Sequence, residues 1–478
     1  MKADTYFFSP QEALRVASQQ NRSKDVNQYH LQLCYYNGDK IESDLLNLIH
    51  LPIDNLVDDL AIGRFRIPLA IDFTGLDLSL EVAKDIEENL LMSFSKASLY
   101  RKELNKVYVD RLQNAKLDFS EPLRIYLLAN SGTRVMQYVS KDIAKALESR
   151  GYNVFFDLLY GIEDAECKKN IFEFNPHITI NINHFVNLAL GEDVFNFIWF
   201  QDFMPALSDS EAFKVRERDY VFIYHSMFKK PLIDKGVNPN KIFDFKTIPV
   251  DQNIFYLDES IKREDKVAFV GTRYGNLYSN YIDDGADQKI HQLIKDGKSL
   301  SVENLETIFS KGLKLLPDAD KFINHLQQRY IRNSCVSWLC QSSKEVEVYG
   351  YNWEKSDDKN IISNFKGEID KVELNKLYNS AKYVLSASAS VINTQRLGET
   401  IYAGAIPLIY DSRDITDEEE TWDDECLYFK TKEELMYILD NDIVPKNYRP
   451  KEMLDYFTYD SFIDTMFEQI DNTLKGQK

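Results

Sequence analysis

The sequence predicts an α/β protein of two facing, doubly wound domains behind an N-terminal α+β extension. Three stretches carry that prediction. A strand, glycine turn, helix and second strand occupy residues 123–157, the order and length of a βαβ unit. A fresh α/β series then opens at Lys266, after the charged linker 258–265. In the third stretch, 397–410, a short helix carrying Glu399 is stopped by Gly404 and followed by an apolar run that reads as a buried strand.

Composition sets the outer bounds. A chain of 478 residues holds two or three domains with full cores, and 44% hydrophobic with 28% charged residues describes an ordinary globular protein. The net charge of -19 argues against general nucleic-acid binding, which needs clustered Lys and Arg. A local basic pocket for one diphosphate remains compatible with it. No run approaches the roughly 20 apolar residues of a membrane span, and Met1-Lys2-Ala3-Asp4-Thr5 lacks the apolar core of a signal peptide. Cys34, Cys167, Cys335, Cys340 and Cys426 show no metal-ligand spacing and read as buried thiols. A reducing compartment, the cytoplasm, is therefore expected; peripheral membrane contact stays open.

The elements follow in order. In the extension, 1–118, residues 27–36 alternate as a strand before the Asn37-Gly38-Asp39 turn, Ile71-Asp72-Phe73 opens a second strand, and 80–116 is helical. The first domain, 119–258, begins with the strand 123–129, the turn Asn130-Ser131-Gly132-Thr133 and an amphipathic helix ended by Gly151. Further strands lie at 153–157, 178–182, 197–200 and 220–224, and Ile248-Pro249-Val250-Asp251 closes the domain. In the second domain, 262–445, a strand runs into Gly271-Thr272-Arg273, a helical stretch fills 287–342, and strands follow at 346–350, 362–365 and 383–386. The remainder is 446–478.

Ligands of open α/β sheets bind beyond the carboxyl ends of the strands, so residues at those ends are the candidates. Glu399 can accept both hydrogens of a ribose diol, and Arg396, three residues earlier on nearly the same face, can meet a diphosphate. Their alternative is a surface ion pair at helical spacing. Gly271 permits close backbone approach, Thr272 offers a hydroxyl and Arg273 a fork for phosphate. The small, hydroxylated segment holding Asn393 and Thr394 can present backbone N–H groups at a helix start. Lys366 is a second phosphate candidate or a solvated strand-end lysine. In the first domain Ser131 and Gly132 lack both the dinucleotide fingerprint and the P-loop lysine spacing, which sets aside hydride transfer and ATP hydrolysis; the turn suits an acceptor-side loop. His184 and Asp202 each follow a strand, where a general base has to stand; the alternatives are a hydrogen-bonded structural histidine and a turn-capping carboxylate. The acidic run 417–425 reads as a solvated loop, and Asp318-Ala319-Asp320 as helix capping rather than a metal motif.

Taken together, Ile198-Trp199-Phe200-Gln201-Asp202-Phe203-Met204-Pro205, Ile248-Pro249-Val250-Asp251, Phe269-Val270-Gly271-Thr272-Arg273, Phe365-Lys366-Gly367-Glu368 and Gln395-Arg396-Leu397-Gly398-Glu399 resemble glycosyltransferases of the two-Rossmann (GT-B) architecture. The subgroup they look most like is the spore-maturation CgeB-like bacterial group. The resemblance starts near Leu123 and leaves the extension out. It implies transfer of a sugar from a nucleotide-sugar donor, held by Glu399 at the ribose and Arg396 or Arg273 at the diphosphate, to a glycan, lipid-linked or protein acceptor. It implies neither cofactor nor metal, and a C-terminal helix, 459–474, that returns to the first domain. One departure stands out: many relatives carry a glutamate eight residues before the ribose-binding one, where this chain has Val391. Two rivals share the architecture: a non-catalytic binding or scaffold protein, and a sugar-nucleotide epimerase.

Overall fold

Strands buried on both faces must be apolar almost continuously, and they pair in parallel only when crossovers cover both faces. Three parallel sheets form here among the described residues. The computed structural model describes residues 5–22, 33–35, 48–62, 67–68, 70–130, 134–159, 165–184, 187, 189–202, 215–275, 278, 281–309, 319–389, 391–416 and 421–475. The chain divides into two compact units, Met1–Phe245 with Ile463–Lys478, and Lys246–Phe462.

The first sheet comprises β1 (Thr5–Phe7), β2 (Leu33–Tyr35), β3 (Leu48–His50) and β4 (Ala70–Asp72), in the order β3-β2-β1-β4. Helices α1 (Pro10–Arg22), α2 (Leu56–Ile62) and α3 (Leu80–Gln113) accompany it. Tyr6, Phe8, Leu56, Leu60, Leu90 and Phe94 build its core. Every pairing is parallel, so the extension is an α/β layer where the sequence predicts α+β. Three-residue strands carry too little pattern to reveal pairing direction. Most of the expected strand 27–36 and its turn lie outside the described residues.

The second sheet contains β5 (Arg124–Asn130), β6 (Asn153–Leu159), β7 (Ile178–Ile182), β8 (Phe195–Phe200), β9 (Asp219–Ile223) and β10 (Ile242–Asp244), ordered β10-β9-β8-β7-β5-β6. Helices α4 (Arg134–Ser149), α5 (Ala165–Phe174) and α6 (Lys229–Asp234) belong to it. A buried polar ladder pins β7 to β8 and β9: Thr179 Oγ1 and Asn181 Nδ2 each donate to Asn196 Oδ1 at 2.8 Å, and Asn196 Nδ2 donates to Asp219 Oδ1 at 3.1 Å. Asp219 also pairs with buried Arg216 at 3.2 Å. A register slip would leave these groups unpaired in the core.

The third sheet holds β11 (Glu264–Val270), β12 (Glu345–Tyr349), β13 (Phe365–Gly367), β14 (Ala381–Ser386), β15 (Ile406–Tyr410) and β16 (Leu427–Phe429), ordered β13-β12-β11-β14-β15-β16. Its helices are α7 (Asp284–Lys295), α8 (Val302–Ile308), α9 (Ala319–Leu339), α10 (Lys359–Asn364), α11 (Lys371–Ser380), α12 (Gln395–Tyr402), α13 (Lys432–Asp440), α14 (Lys451–Tyr456) and the start of α15 (Tyr459–Lys475). Strand alternation supplies two cores, one built on Val267, Phe269 and Leu385, the other on Ala268, Val384 and Ile409. The second and third sheets are the doubly wound, Rossmann-like pair that the sequence predicts.

Local chemistry shifts several boundaries. Among the described residues the expected helical stretch 287–342 holds three helices; the first break comes where Gly297 turns left-handed (φ +67°) and Ser301 caps a new start with its side chain on the Asn304 N–H. The expected strand 362–365 is mostly α10, capped by Asp358. Val250, expected to close the first domain, packs in the second unit's core, and its N–H donates to the Phe457 carbonyl at 2.9 Å.

That last contact explains Gly398 inside α12. A Cβ there would stand 2.6 Å from Val250 Cγ2 and 2.7 Å from Phe457 Cδ1. Gly398→Ala should therefore destabilise the protein by about 1–3 kcal/mol in chemical denaturation, despite roughly 1 kcal/mol of gained helix propensity. An unchanged or higher midpoint would show that this packing is loose.

Candidate functional site

In the third sheet the chain starts at β11, moves to β12 and β13, then jumps to β14 on the other side. Loops leaving β11 and β14 diverge at such a switch point and open a crevice at the strand ends. Arg332, on α9, bridges it: Nη1 donates to the Thr272 carbonyl at 3.2 Å and Nε to the Ala387 carbonyl at 3.3 Å. Its guanidinium lies over the Tyr274 ring, 4.6 Å from the centroid. Arg396, in the first turn of α12, lies over Phe269 at 5.4 Å and donates a hydrogen bond to the buried Tyr378 hydroxyl oxygen. A Cβ on Gly271 would stand 2.9 Å from Arg396 Nη2, so a bare backbone at 271 is what lets the guanidinium in.

The electrostatics are lopsided. Burial pushes Arg332 down to about 10, and the Arg396 charge adds to that effect. Among the described residues neither guanidinium is in an ion pair. One turn beyond Arg396, Glu399 is 8% exposed. Its burial pushes the carboxyl up to about 7, against the opposing pull of Arg396, Lys371 and a hydrogen bond from Gln395. This burial excludes the solvated surface pair. The arrangement presents two cations and one buried carboxyl where a ligand with several anionic oxygens and a hydroxyl pair would complete it.

Gly271, Thr272, Arg396 and Glu399 thus gather around the switch point. Arg273 follows Thr272, is half-buried, and its N–H donates to the Tyr351 carbonyl at 2.9 Å. Thr394 is the N-cap of α12, its hydroxyl accepting the Leu397 N–H at 3.2 Å. Asn393 is wholly buried, and its amide oxygen accepts from Trp422 Nε1 at 2.7 Å. Lys366 stands apart, exposed on edge strand β13 and electrostatically coupled to Glu347. Arg332 escaped the sequence reading although a signal existed: it shares a helix face with buried Cys335, Val336 and Leu339 at i+3, i+4 and i+7.

In the first unit the ends of β7 and β8 are tied by Asn183, which adopts a left-handed conformation (φ +61°). Its Oδ1 accepts the N–H groups of Gln201 at 2.7 Å and Asp202 at 3.1 Å, while Nδ2 donates to Asp202 Oδ2 at 3.0 Å. His184 follows directly, half-buried, its pKa lowered by desolvation so that the neutral ring dominates. Asp202 is exposed. Ser131 and Gly132 lie outside the described residues, as does Asp318. Asp423 and Asp424 of the acidic run pair with Arg413 and Lys446. Cys167, Cys335, Cys340 and Cys426 are buried, free thiols. A cavity of about 560 Å³ lies between β11, β12 and α11, but its Lys266, Glu347 and Tyr349 bond to one another, and neither guanidinium lines it.

Burial of Glu399 makes the protein's stability depend on pH. The folded pKa of Glu399 exceeds the ordinary 4.5, so its contribution to stability is fully present below that value and is lost as pH rises through about 7. Glu399→Gln cannot ionise. Its melting temperature should match the parent near pH 5 and exceed it near pH 8, by at most about 3 kcal/mol in stability; equal melting at both pH values would contradict the burial argument.

Residues 329–443, a span holding Arg332, Arg396 and Glu399, match a family model described as glycosyl transferase-like. No curated protein matches the chain. Among solved structures it is similar to sucrose-phosphate synthase from Thermosynechococcus elongatus, with 10% identity, 74% of this chain and 100% of that one covered, and a TM-score of 0.45. It is also similar to the lipopolysaccharide outer core galactosyltransferase WaaB, with 13% identity, 74% and 100% covered and a TM-score of 0.40. For WaaG, a glycosyltransferase involved in lipopolysaccharide biosynthesis, the values are 10%, 70% and 93%, and 0.36. Among the described residues no helix is long and apolar enough to cross a membrane.

Proposed function

We propose that the chain is a glycosyltransferase whose second unit holds the diphosphate of a nucleotide-sugar donor between Arg332 and Arg396, with Glu399 on the ribose diol. The observation that carries this reading is the guanidinium pair at the β11/β14 switch point, near enough for mutual repulsion and in no ion pair among the described residues, with the Glu399 carboxyl as the charge that attracts Arg396. A diphosphate satisfies both cations, and a diol satisfies the ionised Glu399 carboxylate.

The difficult step is departure of the diphosphate from an oxocarbenium-like sugar carbon. Charge then grows on the leaving oxygens, and fixed guanidiniums at the strand ends favour that state more than the bound donor. The proposal assigns deprotonation of the acceptor hydroxyl to His184, whose neutral ring can take a proton, with Asp202 as second choice. It gives the first doubly wound sheet the acceptor role, and names no metal or cofactor. The acceptor class is a glycan, a lipid-linked glycan or a protein, and the CgeB-like group is the subgroup the quoted motifs favour. The cytoplasm is the compartment this reading takes.

One observation favours a second reading. Val391, where many relatives hold a glutamate, is buried at 6% exposure and cannot bond a sugar hydroxyl. A scaffold that binds nucleotide without transferring sugar fits that change.

Titration calorimetry with a panel of nucleoside diphosphates separates these cases. At least one should bind, and Arg332→Ala or Arg396→Ala should each weaken it by about tenfold or more, as expected for loss of a charge-assisted hydrogen bond. No binding by any member would contradict the proposal. Binding without hydrolysis or transfer of any sugar nucleotide, followed by mass spectrometry, would select the scaffold.

A further inference from the structure

Helix α3 buries one face in the first unit, through Leu90, Phe94, Ala97 and Leu112. Its opposite side is apolar too. Met92 and Leu99 are each 63% exposed, Leu91 51%, Tyr100 46% and Val107 45%. Seven residues separate Met92 from Leu99 and Tyr100 from Val107, the spacing that keeps a seam turned toward a partner helix. Single exposed apolar residues need no explanation, whereas a row along one long helix does.

Charge identifies the partner. Residues 80–95 hold Glu81, Asp85, Glu87 and Glu88 against Lys84, a net of -3; residues 96–113, leaving out Arg101, which is turned to the Leu60 carbonyl, hold Lys96, Lys102, Lys106 and Arg111 against Glu103 and Asp110, a net of +2. Complementing the helix dipole accounts only for the first and last turns, where that effect is confined. A second α3 running parallel would set acid on acid and base on base. Running antiparallel, it sets each half on its opposite, with Met92 and Leu99 meeting near the middle. A surface complementary to its own reverse is the requirement of a two-fold interface.

We propose that α3 is the seam of a homodimer in which two copies of this chain pair their α3 helices antiparallel. The inference stands apart from the catalytic reading. Light scattering on the full chain should return twice the 55.7 kDa chain mass at micromolar concentration. Met92→Glu with Leu99→Glu should give a monomer that keeps the parent's circular dichroism and whose thermal unfolding, unlike the parent's, does not depend on protein concentration. Lys102→Glu with Lys106→Glu should weaken the dimer by about tenfold, and adding Glu87→Lys with Glu88→Lys should restore it. Cysteine placed by Ser95→Cys, near the helix midpoint, should cross-link to its own copy, whereas Lys84→Cys should not. A monomeric parent, a dimer indifferent to these changes, self-linking at both positions, or retention of the parent on anionic vesicles in place of self-association would each overturn the proposal.

Discussion

Two like charges confined at the end of a parallel sheet are the constraint around which the second unit is arranged. Holding Arg332 and Arg396 near each other costs free energy, and the surrounding backbone is shaped to bear it. Gly271 leaves room for Arg396, and its own position is set from two sides. Its N–H donates to the Tyr349 carbonyl at 3.0 Å, and its carbonyl accepts from Trp353 Nε1 at 2.6 Å. Gly350 completes the fit: with φ +123°, a Cβ there would stand 2.3 Å from the Gly271 oxygen. The Gly271 loop, the Gly350 turn and Trp353 form one unit that presents the Thr272 carbonyl to Arg332 and leaves space for Arg396.

Glu399 shows the same logic in the opposite charge. A buried carboxyl held up to about 7 lowers stability at neutral pH, a cost of the kind found where perturbed groups cluster at functional sites. Desolvation also makes each charge more effective toward a ligand, since the same burial weakens competition from water. In the first unit Asn183 has a comparable role without charge. Its single carboxamide oxygen takes two backbone N–H groups, fixing the strand ends that carry His184 and Asp202.

Much of this was legible in the sequence, for identifiable reasons. Strands such as Ile178–Ile182 and Phe195–Phe200 are buried throughout; the unbroken apolar stretch 197–200 and the alternating isoleucines of 178–182 are what made them readable as strands. Arg396 and Glu399 were legible because their relation is local, three residues apart on one helix. Arg332 was not, because it lies 64 residues before Arg396 in the chain and only the sheet order brings them together. Thr394 was read for its hydroxyl, which instead caps α12, and Asn393 for its amide, which Trp422 occupies; a sequence shows that a side chain can bond, not what it bonds. The extension's parallel pairing was hidden by strands of three residues.

The account rests on the guanidinium pair receiving a diphosphate. The most direct measurement is a structure determined with a nucleoside diphosphate bound. The account places phosphate oxygens at about 3 Å from both Arg332 and Arg396, hydrogen-bond distance, with the ribose hydroxyls on Glu399. A nucleotide bound elsewhere, with both guanidiniums still turned to backbone and ring alone, would contradict it.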